Sequence, residues 1–157
     1  VADVRLIPRS RRYPHFADEA LARALPERGI RYLPFKDLGG RRRPAKDSPN
    51  AGWRNESFRG YADFMLTLGF AAALGRLEAA AAAQPTATMC AEAVPWRCHR
   101  SLIGDALLVR GWTVLDIVGP GRATPHALTR FARVEGTRIT YPPEEGPSLF
   151  AGVSPEP

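Results

Sequence analysis

The densest chemistry in this 157-residue chain lies between Met89 and Arg100, a segment that reads Met-Cys-Ala-Glu-Ala-Val-Pro-Trp-Arg-Cys-His-Arg. Cys90, Glu92, Cys98, His99 and Arg100 could act in three ways. In the first, Cys98 is a thiolate nucleophile at the start of a helix. The free N–H groups and positive dipole end of a helix N-terminus lower a thiol pKa, and Arg97 and Arg100 would lower it further. His99 or Glu92 would then handle protons. In the second, Cys90, Cys98 and His99, with Glu92, supply four ligands of the types that zinc accepts. The C-x7-C-H spacing matches no familiar zinc knuckle, however, and adjacent side chains at 98 and 99 diverge if both stand on a helix, so no metal is assigned. In the third, Glu92 accepts hydrogen bonds from a ribose or a base edge while Arg100 and the helix end hold a phosphate. Arg5 and Ser10 would join them from the end of the first strand. Against these stand plainer roles: a small buried cysteine packed under the loop, or a Glu92–Arg100 ion pair that shapes it.

A second cluster, Asn55, Ser57, Phe58, Arg59 and Tyr61, opens a long helical pattern. Arg59 and Tyr61 are candidates to face a cleft, and Phe58 reads as core. Trp53 and Trp96 lie in polar loops, where an indole stacks on a base or, more commonly, covers the edge of a core. His126 and His15 are assigned no role. Gly39-Gly40 beside Arg41-Arg42 is a weak anion-loop signal without the helix that should follow it. The chain has no Walker loop, no G-x-G-x-x-G and no H-E-x-x-H. No cofactor is implied.

These residues are positioned by an alternation of short strands and helices. Strands are expected over Val1–Ile7, Ile30–Phe35, Thr86–Cys90 and Trp112–Val118. Helices are expected over Ala17–Arg28, Ser57–Ala83 and Cys98–Arg110, with a short one from Thr124-Pro125, a good N-cap and N1 pair, to Ala132. Lys36–Glu56 is a loop by composition, and long loops are often functional. Val134–Tyr141 reads as a hairpin around Glu135-Gly136. The alternation predicts an α/β fold, a three-layer sandwich with a mainly parallel sheet, and ligands at the C-terminal ends of its strands. Residues 1–141 form one domain, and 142–157 form a Pro-, Gly- and Glu-rich tail.

Composition sets the wider bounds. Hydrophobic residues are 45% and charged residues 24% of the chain, ordinary for a globular protein. No apolar run reaches the roughly 18 residues of a membrane span. Two cysteines eight residues apart make no disulfide framework, so a reduced cytoplasmic setting is expected and a membrane partner is not. The formal charge of +6 and pI near 10.0 come mostly from arginine, with clusters at Arg5, Arg9, Arg11 and Arg12 and at Arg41–Arg43. Such clusters favour an anionic small molecule or a nucleic acid. The chain opens without methionine, directly on an apolar run, as a segment trimmed from a longer one would.

Taken together, Asp3-Val4-Arg5 with Pro8 and Ser10, Leu38-Gly39-Gly40-Arg41, Phe58-Arg59-Gly60-Tyr61-Ala62, and Cys90-x-Glu92 with Cys98-His99-Arg100 resemble the family called domain of unknown function 488. The resemblance runs from about Val1 to His126. It implies a three-layer α/β fold with Asp3, Arg5, Cys90, Glu92, Cys98, His99 and Arg100 near one cleft, and it implies no reaction. Members usually begin with one more strand and helix, opening on a Gly-His-Ser-like segment, which this chain lacks.

The expected function is therefore a phosphate-, nucleotide- or nucleic-acid-binding cleft at the strand ends, either with catalysis or without it. Arg5, Ser10 and Arg100 would hold phosphate. Asp3, Arg59, Tyr61 and Cys90 would line the ligand site, and Glu92, Cys98 and His99 are the candidate catalytic groups. The alternatives are a non-catalytic nucleic-acid-binding module using the basic loops, and a metal-stabilised scaffold built on Cys90, Cys98 and His99.

Overall fold

The computed structural model describes residues 1–144. Its centre is a three-stranded parallel sheet in which β1 (Ala2–Asp3) lies between β2 (Leu33–Pro34) and β3 (Thr88–Met89). Each strand is two residues long, shorter than the apolar runs that predict them. Single hydrogen bonds extend the ladder on both sides, from the Val4 N–H to the Met89 carbonyl (3.0 Å) and from the Phe35 N–H to the Asp3 carbonyl (2.8 Å). Ala2, Asp3, Val4 and Arg5 are all buried, as a central parallel strand covered on both faces requires.

Helix α1 (Asp18–Ala24) starts on two acids that suit its positive end and buries Leu21. It ends in a 3-10 turn closed by left-handed Gly29. The long helix expected over 57–83 is two helices, α2 (Glu56–Met65) and α3 (Leu68–Ala83), bent by 81°. Each has its own N-cap. The Asn55 side chain accepts from the Ser57 and Phe58 amides, and Thr67 accepts from the Phe70 amide (3.2 Å). Thr67 also donates to the Phe64 carbonyl (2.7 Å), which closes the first helix as it opens the second. The bend brings Tyr61, Phe64 and Phe70 edge to face. Their core continues through Leu74, Leu77, Leu102 and Ile103. Among the described residues no single helix is long and apolar enough to cross a membrane.

Helix α4 (Arg100–Leu108) buries every residue from Ser101 to Ala106. The chain then departs from expectation. The segment read as a fourth strand of the parallel sheet forms β4 (Leu115–Gly119), which pairs antiparallel with β5 (Arg122–Pro125) in a separate hairpin. Leu115 and Ile117 are exposed while Asp116 and Val118 are half-buried, an alternation suited to a strand with one wet face. The helix expected from Thr124-Pro125 to Ala132 is not formed. Thr124 and Pro125 end β5, the His126 amide returns to the Val114 carbonyl (2.9 Å), and Asp105 captures the Thr129 amide (3.0 Å). The hairpin around Glu135-Gly136 is present as β6 (Arg133–Glu135) and β7 (Arg138–Thr140). Apart from residues 142–144, the expected tail lies outside the described residues.

Candidate functional site

A cleft of about 310 Å³ opens beyond the C-terminal ends of β1 and β3, the edge at which open parallel sheets present ligands. Its walls come from four places. Arg5, Leu6 and Ile7 leave β1; Gly40 and Arg41 belong to the long basic loop; Ser57 and Phe58 open α2; and Cys90, Glu92, Arg97, Cys98 and His99 come from the β3–α4 connection. The basic loop reaches the cleft because it crosses α2 at Gly60, where a Cβ would collide with the Arg42 carbonyl.

Cys98 and His99 lie just before α4. Cys98 is extended (φ −139°, ψ 149°), and His99 is the residue that leads into the helix (φ −56°, ψ −11°). The change of backbone conformation between them turns adjacent side chains toward each other, with Cys98 Sγ 3.5 Å from His99 Nδ1. On the far side of the ring, His99 Nε2 lies 3.2 Å from the Val4 carbonyl. A carbonyl only accepts, so Nε2 carries the proton and donates it. The ring also packs on buried Tyr61, centroid to centroid 4.9 Å. Cys90 Sγ completes the group, since one ligand atom from each of the three residues lies within 4.8 Å of the others.

The two thiols are driven apart in pKa. The hydrogen bond from Cys98 holds the Cys90 thiol well below its ordinary value despite burial, with help from the Glu92 amide. The same bond, with burial, pushes the Cys98 thiol up. The sequence suggests Cys98 as the thiolate. Cys98 is buried and Cys90 half-buried, and the opposite shifts favour the thiolate at Cys90.

Other candidates are engaged elsewhere. Arg5 forms a bidentate pair with Asp3, Nε to Oδ1 at 2.8 Å and Nη2 to Oδ2 at 2.5 Å, and its Nη1 donates to the Phe16 carbonyl (2.8 Å). Asp3 also accepts from the Tyr32 hydroxyl (2.7 Å) and lies beneath the cleft, outside its lining. Burial alone would raise the Asp3 carboxyl; the Arg5 and Tyr32 hydrogen bonds outweigh it and hold the group below the usual carboxylate range. Ser10 accepts from the Tyr13 amide (3.0 Å) and lies outside the cleft. Tyr61 is core, its hydroxyl donating to the Leu38 carbonyl (2.8 Å). Arg59 pairs with Glu56 at 3.7 Å. Arg100 is not part of the cleft lining and donates to the Glu92 and Ala93 carbonyls, so it fixes the loop through its backbone and not through the Glu92 carboxylate.

Two other arginines face the cleft. Arg41 and Arg97 line it, both are exposed, and neither forms an ion pair among the described residues. Arg41 holds a left-handed backbone (φ 61°), rare for a residue with a Cβ. Its neighbour Arg42 is folded in, donating to the Gly39 carbonyl (3.1 Å) and the Asp37 carbonyl (2.8 Å) and lying 3.9 Å over the Phe64 ring. Glu92 is exposed and lines the cleft from the same connection as Arg97.

A polar cluster far from the cleft escapes the sequence reading. His126 is bonded on both nitrogens, Nδ1 to Asp116 Oδ2 (2.9 Å) and Nε2 to Asp105 Oδ1 (3.1 Å), and the Tyr141 hydroxyl donates to Asp105 Oδ2 (2.8 Å). The available signal is Asp105 itself, an acid in the apolar run Leu102-Ile103-Gly104-Asp105-Ala106-Leu107, since a buried carboxylate demands partners.

Sheet and cleft define a class: an α/β domain with a cysteine–histidine cluster at the C-terminal edge of a parallel sheet. The family model described as Domain of unknown function DUF488 matches residues 1–107, which is more than half of the chain and ends within α4. The chain belongs to this family. No curated protein and no solved structure matches it.

Proposed function

We propose that the cleft binds a phosphate-bearing ligand, a nucleotide or a segment of nucleic acid, with its reactive part against Cys90, Cys98, His99 and Glu92. The observation that carries this reading is the pair Arg41 and Arg97, two guanidinium groups lining one cleft without an anionic partner among the described residues. Guanidinium matches phosphate in geometry and stays charged at any working pH. Arg41 and Arg97 take the phosphate role that the sequence suggests for Ser10 and Arg100. In this reading Glu92 accepts from a ribose hydroxyl or serves as a general base. A reducing, cytoplasmic setting belongs to this reading, because Cys90 and Cys98 are close and both free thiols.

Binding of mixed nucleotides and short fluorescent oligonucleotides to wild type, Arg41→Ala and Arg97→Ala tests it. Each variant should weaken binding by roughly 1.5–3 kcal/mol, the range for a hydrogen bond to a charged group, and flatten the salt dependence by about one phosphate contact. Unchanged binding in both variants would sink the reading. Glu92→Gln and Cys98→Ser separate the two forms of the proposal: an enzyme keeps binding and loses turnover. A pure binding module loses affinity instead when the exposed Arg9, Arg11, Arg12 and Arg43 are changed.

A further inference from the structure

We propose that Cys90, Cys98 and His99 form a binding site for one zinc ion, held by two sulfurs and one imidazole nitrogen, with a fourth position open to the cleft. This goes beyond ligand binding and does not depend on it, since the protein could bind the metal without a nucleotide or the reverse.

Geometry comes first. Zinc–sulfur bonds of about 2.3 Å and zinc–nitrogen bonds of about 2.0–2.1 Å in a tetrahedron put donor atoms roughly 3.5–3.8 Å apart. Cys98 Sγ and His99 Nδ1 are already 3.5 Å apart, and no pair among the three donors exceeds 4.8 Å. Residues 98 and 99 would diverge if both stood on a helix. They precede the helix, and the extended-to-helical change at this junction makes them converge.

The histidine is oriented as a ligand. Metal-bound histidines almost always donate their second ring N–H to a carbonyl or carboxylate, which fixes the tautomer and raises the basicity of the first nitrogen. The Val4 carbonyl does this for Nε2 at 3.2 Å. Nδ1 is left with a bare lone pair beside a sulfur.

Glycine at 40 lets the basic loop lie against the face of this imidazole. A Cβ there would lie 2.9 Å from Nδ1, 3.3 Å from Cε1 and 3.4 Å from Cγ, above the ring plane, and would push the ring out of place. Two thiolates and an imidazole make a donor set that selects zinc among common divalent cations. Three protein ligands with one open position are the arrangement of zinc sites that bind water or substrate. Glu92, Arg41 and Arg97 line the same cleft as these donors.

The test uses untagged full chain, stripped with a chelator under reducing conditions and titrated with cobalt(II) chloride, then zinc chloride. Expected is one equivalent of cobalt with a thiolate-to-metal charge-transfer band and the intense visible absorption of tetrahedral cobalt, both bleached by one equivalent of zinc. A weak octahedral spectrum without the thiolate band, or no stoichiometric uptake, overturns the proposal from wild type alone, whatever the variants do. Gly40→Ala keeps all three ligands and should weaken zinc binding by about 10-fold or more, the scale of loss on disturbing a ligand's surroundings. Cys90→Ser should lose more. Wild-type affinity in both, in protein with unchanged circular dichroism, also overturns it.

Discussion

Asp3 and Arg5, two residues apart at the end of the central strand, form a buried bidentate ion pair in which Arg5 Nε and Nη2 each meet one carboxylate oxygen. The pair lies directly beneath the cleft and joins it to the sheet. Removing one partner of a buried pair leaves an uncompensated charge and costs about 3–5 kcal/mol. Asp3→Ala should lower the urea midpoint accordingly, and a loss well under 1 kcal/mol would show that water reaches the pair. The pair also sets the acid limb. Because the Asp3 carboxyl is held below its ordinary value of 3.8, its contribution is present above that value and disappears as pH falls through the depressed one.

His126 sets the opposite limb. Its hydrogen bond to Asp105 raises its pKa above the ordinary 6.5, against burial, and Asp116 adds to the rise. The groups facing it are Asp105 from α4 and Asp116 from β4, with the Tyr141 hydroxyl on the far side of Asp105. A raised folded pKa contributes stability that is complete below the unfolded value and lost as pH rises through the folded one. Unfolding midpoints should therefore fall in wild type as pH rises above the ordinary value of 6.5, whereas His126→Asn should flatten that slope. A midpoint that stays level in wild type would mean that the imidazole is neutral in the fold.

Arg41 separates stability from binding. A left-handed backbone costs a residue with a Cβ roughly 1–2 kcal/mol, while glycine adds about 0.4–1 kcal/mol of unfolded-state freedom. Arg41→Gly should therefore leave stability unchanged or raise it by up to about 1.6 kcal/mol while weakening ligand binding. A thermal melt and a binding isotherm on the same variant check both signs; a destabilised variant would show that the Arg41 side chain holds the loop.

Much of this was legible in order and type but not in extent. The apolar spacing of Leu102, Ile103 and Ala106 locates α4, and Glu135-Gly136 locates the last hairpin. The break at Leu66 and Thr67 escapes because neither residue is glycine or proline; the signal is a threonine able to cap the run that follows. The segment around Leu115 reads equally well as a buried parallel strand or as one arm of a hairpin, and pairing decides between them at long range. The segment from Cys90 to Arg100 identifies the cleft, yet the roles within it turn on side-chain direction. Arg100 is not part of the cleft lining, Arg97 and Arg41 are, and Arg5 answers to Asp3.

The site atoms of Cys90, Cys98 and His99 belong to one stretch of ten residues, tied to the rest of the molecule through the Val4 carbonyl. A loop of this length closes in roughly 10–100 ns, far faster than distant strands find one another. The sulfurs and the imidazole can therefore meet many times before the sheet exists. What the finished fold supplies is the persistence of one arrangement among many that the segment already samples.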